Sequence, residues 1–393
     1  MAVKDKFKQP RIRTMNTRRI REVALMLILL SLISYLFVSC GSDSKDPVGP
    51  VNPPDTGFEW TIAPPEEHGF DPALLDTLTD RINSGNLGRI TSLLIARSGN
   101  LVYEQYFRGY ELNNLVSIYS CTKSVTSALM GIAIGEESIG GVDDRLFDYL
   151  DGYTLFPPDM IDSLNREGIT LEHLLTMTAG FSWKELEVPY GDTGNSYNKM
   201  VNSDNWIQFV LNQPIVSEPG TTFEYSTGLS GLMAVILENS TGQQVDDYAR
   251  EKIFRHIGID TCVWRMSPRG IPMTGSGLKL RPRDMAKFGW LYSQNGVWDG
   301  DTIVPSWWVQ ASHQIHSTSP NGREYGYQWW LVQFTDDQGN PFYMPYALGY
   351  GGQHIFVPPV YDMVIVVTAD DDQNVSSNYI LEIIDRIDQA FTP

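Results

Sequence analysis

Val116-Ser-Ile-Tyr-Ser120-Cys-Thr-Lys123-Ser-Val-Thr-Ser-Ala-Leu-Met-Gly-Ile-Ala-Ile134 is the stretch on which the reading of this chain turns. The run is rich in small and apolar residues and predicts a buried helix beginning at about Ser120. Ser120 and Lys123 stand three apart and share one helix face, separated along the axis by roughly 4.5 Å. That is the spacing a hydroxyl and its base need. An unpaired ammonium is costly in an apolar helix. Burial disfavours its charged form, so a lysine placed there can accept a proton. The helix amino terminus also directs free N–H groups at developing negative charge. Taken alone, Ser-x-x-Lys also occurs by chance as an ordinary surface pair.

Two further segments converge on the same chemistry. Pro219-Gly-Thr-Thr-Phe-Glu-Tyr225-Ser226-Thr227-Gly228 precedes the apolar helix Leu229–Glu238. A tyrosine on a turn just before a buried helix can point into a cleft and pass a proton to a leaving group; without context it is a half-buried packing residue. Ala347-Leu348-Gly349-Tyr350-Gly351-Gly352-Gln353 runs directly into a predicted strand. Its glycines, Gly349 and Gly351 among them, let a substrate lie against the strand edge. A backbone N–H there can complete an oxyanion hole with that of Ser120; the plainer reading is a tight turn or bulge.

Working outward, Asp71-Pro-Ala-Leu-Leu-Asp-Thr-Leu-Thr-Asp-Arg-Ile82 carries a capping Asp and a Pro at the first helical position. Ile90–Arg97 and Leu101–Phe107 flank Ser98-Gly99-Asn100 and predict an antiparallel hairpin. Near the other end, His354–Val357 and Met363–Thr368 predict paired strands, followed by a helix over about Asn378–Gln389. A sheet built from both ends of the chain is the economical assembly, with residues 140–270 reading mainly as helices and long loops. His313 and His316 have metal-like spacing but lack the Glu or third ligand of a zinc site.

The first 21 residues carry eight of the 29 Lys and Arg and only Asp5 among the acids. An apolar run over 23–37 follows, then Val38-Ser39-Cys40 and a polar, Pro-rich stretch over 41–54. This pattern predicts an export signal over residues 1–39 and a flexible tether over 40–56. Cys40 stands where a bacterial lipoprotein is lipidated, although Phe37 occupies a position where Leu is usual. A plain amino-terminal membrane anchor is the alternative, and Met15 is a second candidate start. Either way the remainder lies outside the cytoplasm, on the periplasmic or cell-surface side. Beyond residue 39 there are 21 basic and 45 acidic residues, a balance that argues against nucleic acid as a partner. Cys121 and Cys262 are expected as buried thiols rather than a disulfide.

The three elements, in this order and at these separations, resemble the serine β-lactamase and penicillin-binding superfamily. The nearest branch is the class C-like one of esterases, D-aminopeptidases and 6-aminohexanoate-dimer hydrolase. Leu171–Trp183, Gly275–Gly289 and Tyr325–Trp330 add to the resemblance, which spans nearly all of 58–391. It implies an α/β (α+β) fold: an antiparallel sheet flanked by terminal helices, with an inserted mainly helical lobe. The α/β lobe would take about 57–139 and 271–393, the helical lobe about 140–270, with the cleft between them. It further implies that Ser120 is acylated, that Lys123 and Tyr225 exchange the proton and that water releases the acyl group, with no metal or organic cofactor.

The chain departs from its β-lactamase members in two places. Tyr-x-Asn is Tyr225-Ser226-Thr227 here, and Lys-Thr-Gly aligns with Ala347-Leu348-Gly349. Loss of that lysine removes the cation expected to hold a substrate carboxylate. Tyr350 would then supply the second oxyanion N–H. Trp183, Tyr190, Tyr197 and Trp206 fall where this branch lines its cleft and are candidates for an apolar acyl or amide pocket, core packing being the alternative. The expected activity is hydrolysis of an ester or small amide. The alternatives are weak β-lactamase or D-amino-acid peptidase action, or a non-catalytic cell-wall binder of the same fold.

Overall fold

Ser98 and Gly99 both take positive φ, 48° and 77°, the backbone of a two-residue type I′ turn whose twist suits the strands it joins. In the computed structural model, which describes residues 57–153, 166–336, 338–370 and 377–392, that turn closes the predicted hairpin. The predicted export signal, the tether and Cys40 lie outside the described residues.

The first part of the chain forms β1 (Thr61–Ile62), α1 (Pro72–Asn83), β2 (Ile90–Arg97), β3 (Asn100–Tyr106), β4 (Val116–Ser117) and α2 (Thr122–Gly135). Short helices follow: α3 (Leu171–Leu175), α4 (Ser196–Val201), α5 (Trp206–Leu211), the longer α6 (Thr227–Thr241) and α7 (Val245–Ala249). Then come β5 (Val263–Trp264), β6 (Leu278–Leu280), α8 (Pro282–Ser293), β7 (Val297–Trp298), β8 (Asp301–Thr302) and α9 (Ser306–Ser312). The last part gives β9 (Ser317–Thr318), β10 (Glu324–Tyr325), β11 (Trp330–Thr335), β12 (Pro341–Gly349), β13 (Gln353–Phe356), β14 (Met363–Ala369) and α10 (Ser377–Ala390).

Among the described residues, nine strands form the main sheet in the order β1-β3-β2-β14-β13-β12-β11-β10-β9. Every pair is antiparallel except β1 with β3. The expected assembly from both chain ends is therefore realised in the interior of the sheet, where Arg97 of β2 lies opposite Met363 of β14. Both strands are buried almost throughout. The terminal helices pack on each other, Arg81 of α1 meeting Glu382 of α10 at 2.6 Å, and Asp71 caps α1 by accepting from the Ala73 amide at 2.9 Å. Ladder-like bonds between Phe70 and Phe391, and from the Asp71 amide to the Ala390 carbonyl, join the two ends of the domain.

Helix α2 is buried on nearly every side and packs against α6 and α9. Its fit against α9 depends on Gly131, where a β-carbon would lie 2.2 Å from Trp308 Cγ. Gln328, buried and at φ 64°, ties this core with polar bonds. Its carbonyl accepts from Ser124 of α2, its side-chain oxygen from Ser230 of α6, and its amide donates to the Leu174 and Leu175 carbonyls of α3. The two histidines read for metal spacing are packing groups instead. His313 is pushed down to about 3 by burial, while His316 stacks on Tyr327 at 4.0 Å. No group of three or more His, Cys, Asp and Glu able to hold a metal occurs among the described residues.

Gly131→Ala should destabilise the fold by about 1–3 kcal/mol, the range for overpacking a filled core. Chemical denaturation would register it as a lower midpoint at unchanged slope.

Candidate functional site

The segment around Ser120 is tighter than the sequence suggests. Tyr119 takes the left-handed region at φ 46°, costly for a bulky residue by roughly 1–2 kcal/mol. Ser120 lies in a 3₁₀ turn, Tyr119–Cys121, and the α-helix proper starts at Thr122 rather than at Ser120. Neighbouring elements hold the turn in place. Thr122 Oγ1 donates to the Tyr119 carbonyl at 2.6 Å and accepts from the Leu278 amide of β6 at 3.2 Å. Cys121 is a buried thiol directed at the Gln353 carbonyl of β13 at 3.5 Å. At the end of β12, a β-carbon on Gly349 would fall 2.3 Å from the Ile118 carbonyl. That close approach brings Tyr350 and the Tyr350–Gly352 turn beside the nucleophile candidate, with Gly351 and Gly352 at φ 75° and 96°.

Lys123 is 1% exposed, and its Nζ lies 3.1 Å from Ser120 Oγ. It also donates to Thr227 Oγ1 at 2.9 Å and to the Gly275 carbonyl at 2.7 Å. Burial pushes the amine down to about 8, opposed chiefly by the Glu185 charge. The Tyr225 hydroxyl also hydrogen bonds Ser120, and burial followed by the Glu185 charge raises the phenol well above its ordinary value. Its ring stacks on Trp330 at 5.8 Å, and Lys123 Nζ lies 4.8 Å from its centroid. Ser120, Lys123 and Tyr225, predicted from segments far apart in the chain, thus meet around one hydroxyl. The arrangement can take a proton from Ser120 onto a neutral amine and keep a neutral phenol within reach of the same oxygen.

The residues proposed for substrate contact fare unequally. Trp183 is not part of an open cleft wall: at 3% exposed it packs under Gly228, where a β-carbon would lie 2.7 Å from its ring, and against Phe209. Tyr190 and Tyr197 do reach the site, their rings 5.6 Å apart, with Tyr190 5.0 Å from Tyr350 and Tyr350 5.7 Å from Tyr119. Tyr197 accepts from Arg265 at 3.2 Å. Trp206 is buried, with the Arg265 guanidinium over its ring.

Sequence reasoning missed Glu185. It is 1% exposed and accepts four hydrogen bonds: Trp183 Nε1 at 2.7 Å, Tyr190 OH at 2.8 Å, the Thr227 amide at 2.8 Å and Thr227 Oγ1 at 2.6 Å. The one sequence signal was an acid two residues from a Trp in an aromatic segment; its Thr227 partner lies 42 residues away.

With this geometry in view, residues 90–386 match the sequence profile of the Beta-lactamase family, and the chain belongs to that family of serine hydrolases with the β-lactamase fold. The 6-aminohexanoate-dimer hydrolase of Paenarthrobacter ureafaciens is 21% identical over 294 residues, 70% of this chain and 71% of that protein. A structure provisionally named 6-aminohexanoate-dimer hydrolase, from Bacillus anthracis, superposes with a TM-score of 0.68 at 21% identity, covering 87% of this chain and 89% of that one. A family VIII carboxylesterase superposes with a TM-score of 0.63 at 15% identity, over 85% and 99% of the two chains.

Two outcomes follow for the site. Reactivity of Ser120 toward an acylating or phosphonylating probe should rise with pH, half-maximal near 8, because Lys123 is an ammonium below that value and a neutral amine above it. Gly275→Ala should lower the plateau rate by about tenfold or more, because its β-carbon would lie 2.7 Å from Thr227 Cγ2 and small displacements of catalytic groups are that expensive. Probe kinetics across pH 6–10 would read both.

Proposed function

We propose that this protein hydrolyses an ester or small amide through an acyl-enzyme on Ser120, with Lys123 as the base. The observation that carries the reading is a buried amine 3.1 Å from Ser120 Oγ, lowered to about 8 by burial. Lys123 takes the hydroxyl proton as Oγ attacks the substrate carbonyl. The Ser120 and Tyr350 amides hold the resulting oxyanion. Tyr225 passes its proton to the leaving group and is reprotonated by the Lys123 ammonium, so the phenol ends neutral and the amine is free again, and water then releases the acyl group by the reverse path. Tyr190, Tyr197, Gly349 and Gly351 border the substrate. The names of the similar hydrolases and carboxylesterase agree with an ester or amide bond as the target.

β-Lactam or D-Ala-D-Ala turnover is disfavoured, because Ala347 stands where a lysine would hold the substrate carboxylate. A purely binding role is also disfavoured: a binder gains nothing from keeping Lys123 buried beside a serine at a cost in desolvation. Export and lipidation at Cys40 are part of the same proposal, supported by the basic and apolar segments that precede it.

Intact mass after treatment of residues 57–393 with a fluorophosphonate should show a single adduct on the native protein and none on Ser120→Ala. No adduct on either protein would sink the hydrolase reading. For the anchor, the full chain should partition with membranes and Cys40→Ala should release it to the soluble fraction; equal partitioning would point to a plain apolar anchor.

A further inference from the structure

We infer that Glu185 is a positioning residue that acts through Thr227 to aim the Lys123 lone pair at Ser120; this rests on the reading of Lys123 as the base of Ser120. The case is one of counting donors and acceptors. Lys123 Nζ has three polar neighbours: Ser120 Oγ, Thr227 Oγ1 and the Gly275 carbonyl. A neutral amine has two hydrogens and one lone pair. The Gly275 carbonyl can only accept, so one hydrogen is committed there. Thr227 Oγ1 could in principle accept or donate. Its own hydrogen, however, is taken by Glu185 Oε1 at 2.6 Å, so toward Lys123 it is an acceptor and holds the second hydrogen. The lone pair is left for the third neighbour, the Ser120 hydroxyl.

Glu185 is itself fixed from several sides. The Trp183 indole and the Thr227 amide, groups that cannot accept, both donate to Oε2. Tyr190 donates to Oε1. The backbone carbonyl of Glu185 accepts from Asn195 Nδ2 at 2.9 Å, and Asn195 also holds the Val188 carbonyl at 2.7 Å. The loop is thereby clamped with the carboxylate facing α6. This gives the Thr at the third position of Tyr225-Ser226-Thr227 a role of its own. A hydroxyl there needs a neighbour that fixes which way it points, and Glu185 is that neighbour.

The charge has a second effect. Glu185 raises the Lys123 pKa against the stronger lowering by burial, so its removal moves the amine further down. The other titratable groups that couple to this pair are Cys121 and Tyr225 beside Lys123, and Tyr190, Tyr325 and Glu224 around Glu185. Glu224 is held up at about 7 by burial and by the charges of Glu187 and Glu185. Its own titration therefore overlaps the window, and a Glu224→Gln control removes it.

The test is the second-order rate of fluorophosphonate labelling at Ser120, measured from pH 6 to 10 in the native protein, Glu185→Gln, Thr227→Val and the double variant. The Glu185→Gln amide keeps the shape but offers an NH₂ to Thr227 Oγ1, which frees the Thr227 hydrogen to compete for the lysine lone pair. The expected result is a plateau rate lower by about tenfold to a hundredfold, the worth of a charge-assisted hydrogen bond, with the pH midpoint moved to lower pH. In the Thr227→Val background the same Glu185→Gln change should cost the plateau less than about threefold, since the group through which Glu185 acts is gone. A Glu185→Gln protein with native plateau and midpoint overturns the inference. So does a plateau loss of equal size in both backgrounds with no change of midpoint, which is what a merely structural role produces. Thermal melting of each variant shows whether a lost rate is a lost fold, and Thr227→Val alone, expected to lose at least about tenfold, keeps the test decisive if Glu185→Gln does not fold. An unlabelled native protein is a different failure, that of the nucleophile reading itself.

Discussion

A primary amine removed from water is the constraint around which this domain is arranged. Holding Lys123 at about 8 instead of the ordinary lysine value of 10.5 costs the folded state about 3 kcal/mol. The sign is fixed by the direction of the shift: the cost is full below about pH 8, where the folded protein must carry a buried ammonium, and fades as pH rises toward 10.5. Against a total stability of roughly 5–15 kcal/mol that is a large sum to give up at one residue. It is tolerable because acceptors arrive from separate parts of the chain: Thr227 at the start of α6 and the Gly275 carbonyl just before β6. The glycine at 275 and the buried polar ties of Gln328 serve the same end, bringing α2, α3 and α6 close enough for those acceptors to reach.

Much of this was legible in the residues themselves, wherever the determining interaction is local. The capping Asp71 before Pro72, the Ser98-Gly99 turn and the apolar runs that flank it all act within a few positions. Ser120 and Lys123 were readable because a spacing of three puts them on one side of a helical turn, although the turn that carries Ser120 is 3₁₀ and held by its neighbours. Tyr225 stood out locally only as a candidate, since nothing in its segment tells a proton-passing tyrosine from a packing one. The left-handed Tyr119 was not legible, because its conformation is imposed by bonds from Thr122, β6 and β13 and runs against its own preference. For Trp183 the family's cleft-lining segment and core packing were both open, and its ring is claimed by Gly228 and Phe209, contacts that depend on where α5 and α6 come to lie. Glu185 escaped notice because a carboxylate reveals its purpose only through its donors, and the decisive one is supplied by Thr227.

The two departures from the β-lactamase pattern now read differently from each other. On the lysine side of the site, Thr227 in place of Asn is compensated, since Glu185 gives the hydroxyl a fixed direction. At the end of β12, Ala347 stands in place of a cation and Leu348 in place of a hydroxyl, and the neighbouring aromatic contacts run from Tyr119 through Tyr350 and Tyr190 to Tyr197. The polar groups around Ser120 thus keep the family's arrangement while the neighbouring surface differs in character, and a fold by itself does not fix what such a site acts on.

The order of strands in the main sheet carries a cost in time. β2 and β14 are neighbours in the interior of the sheet, yet they lie near opposite ends of the domain. In a chain that emerges amino end first, β2 can pair with β3 at once, but its other edge stays open until almost the whole domain has been made. That edge belongs to a strand buried at seven of its eight positions, an adhesive surface for any other unpaired strand nearby. Completion of the sheet must therefore wait on a long loop closure, which slows folding and lengthens the period during which a nascent chain needs shielding.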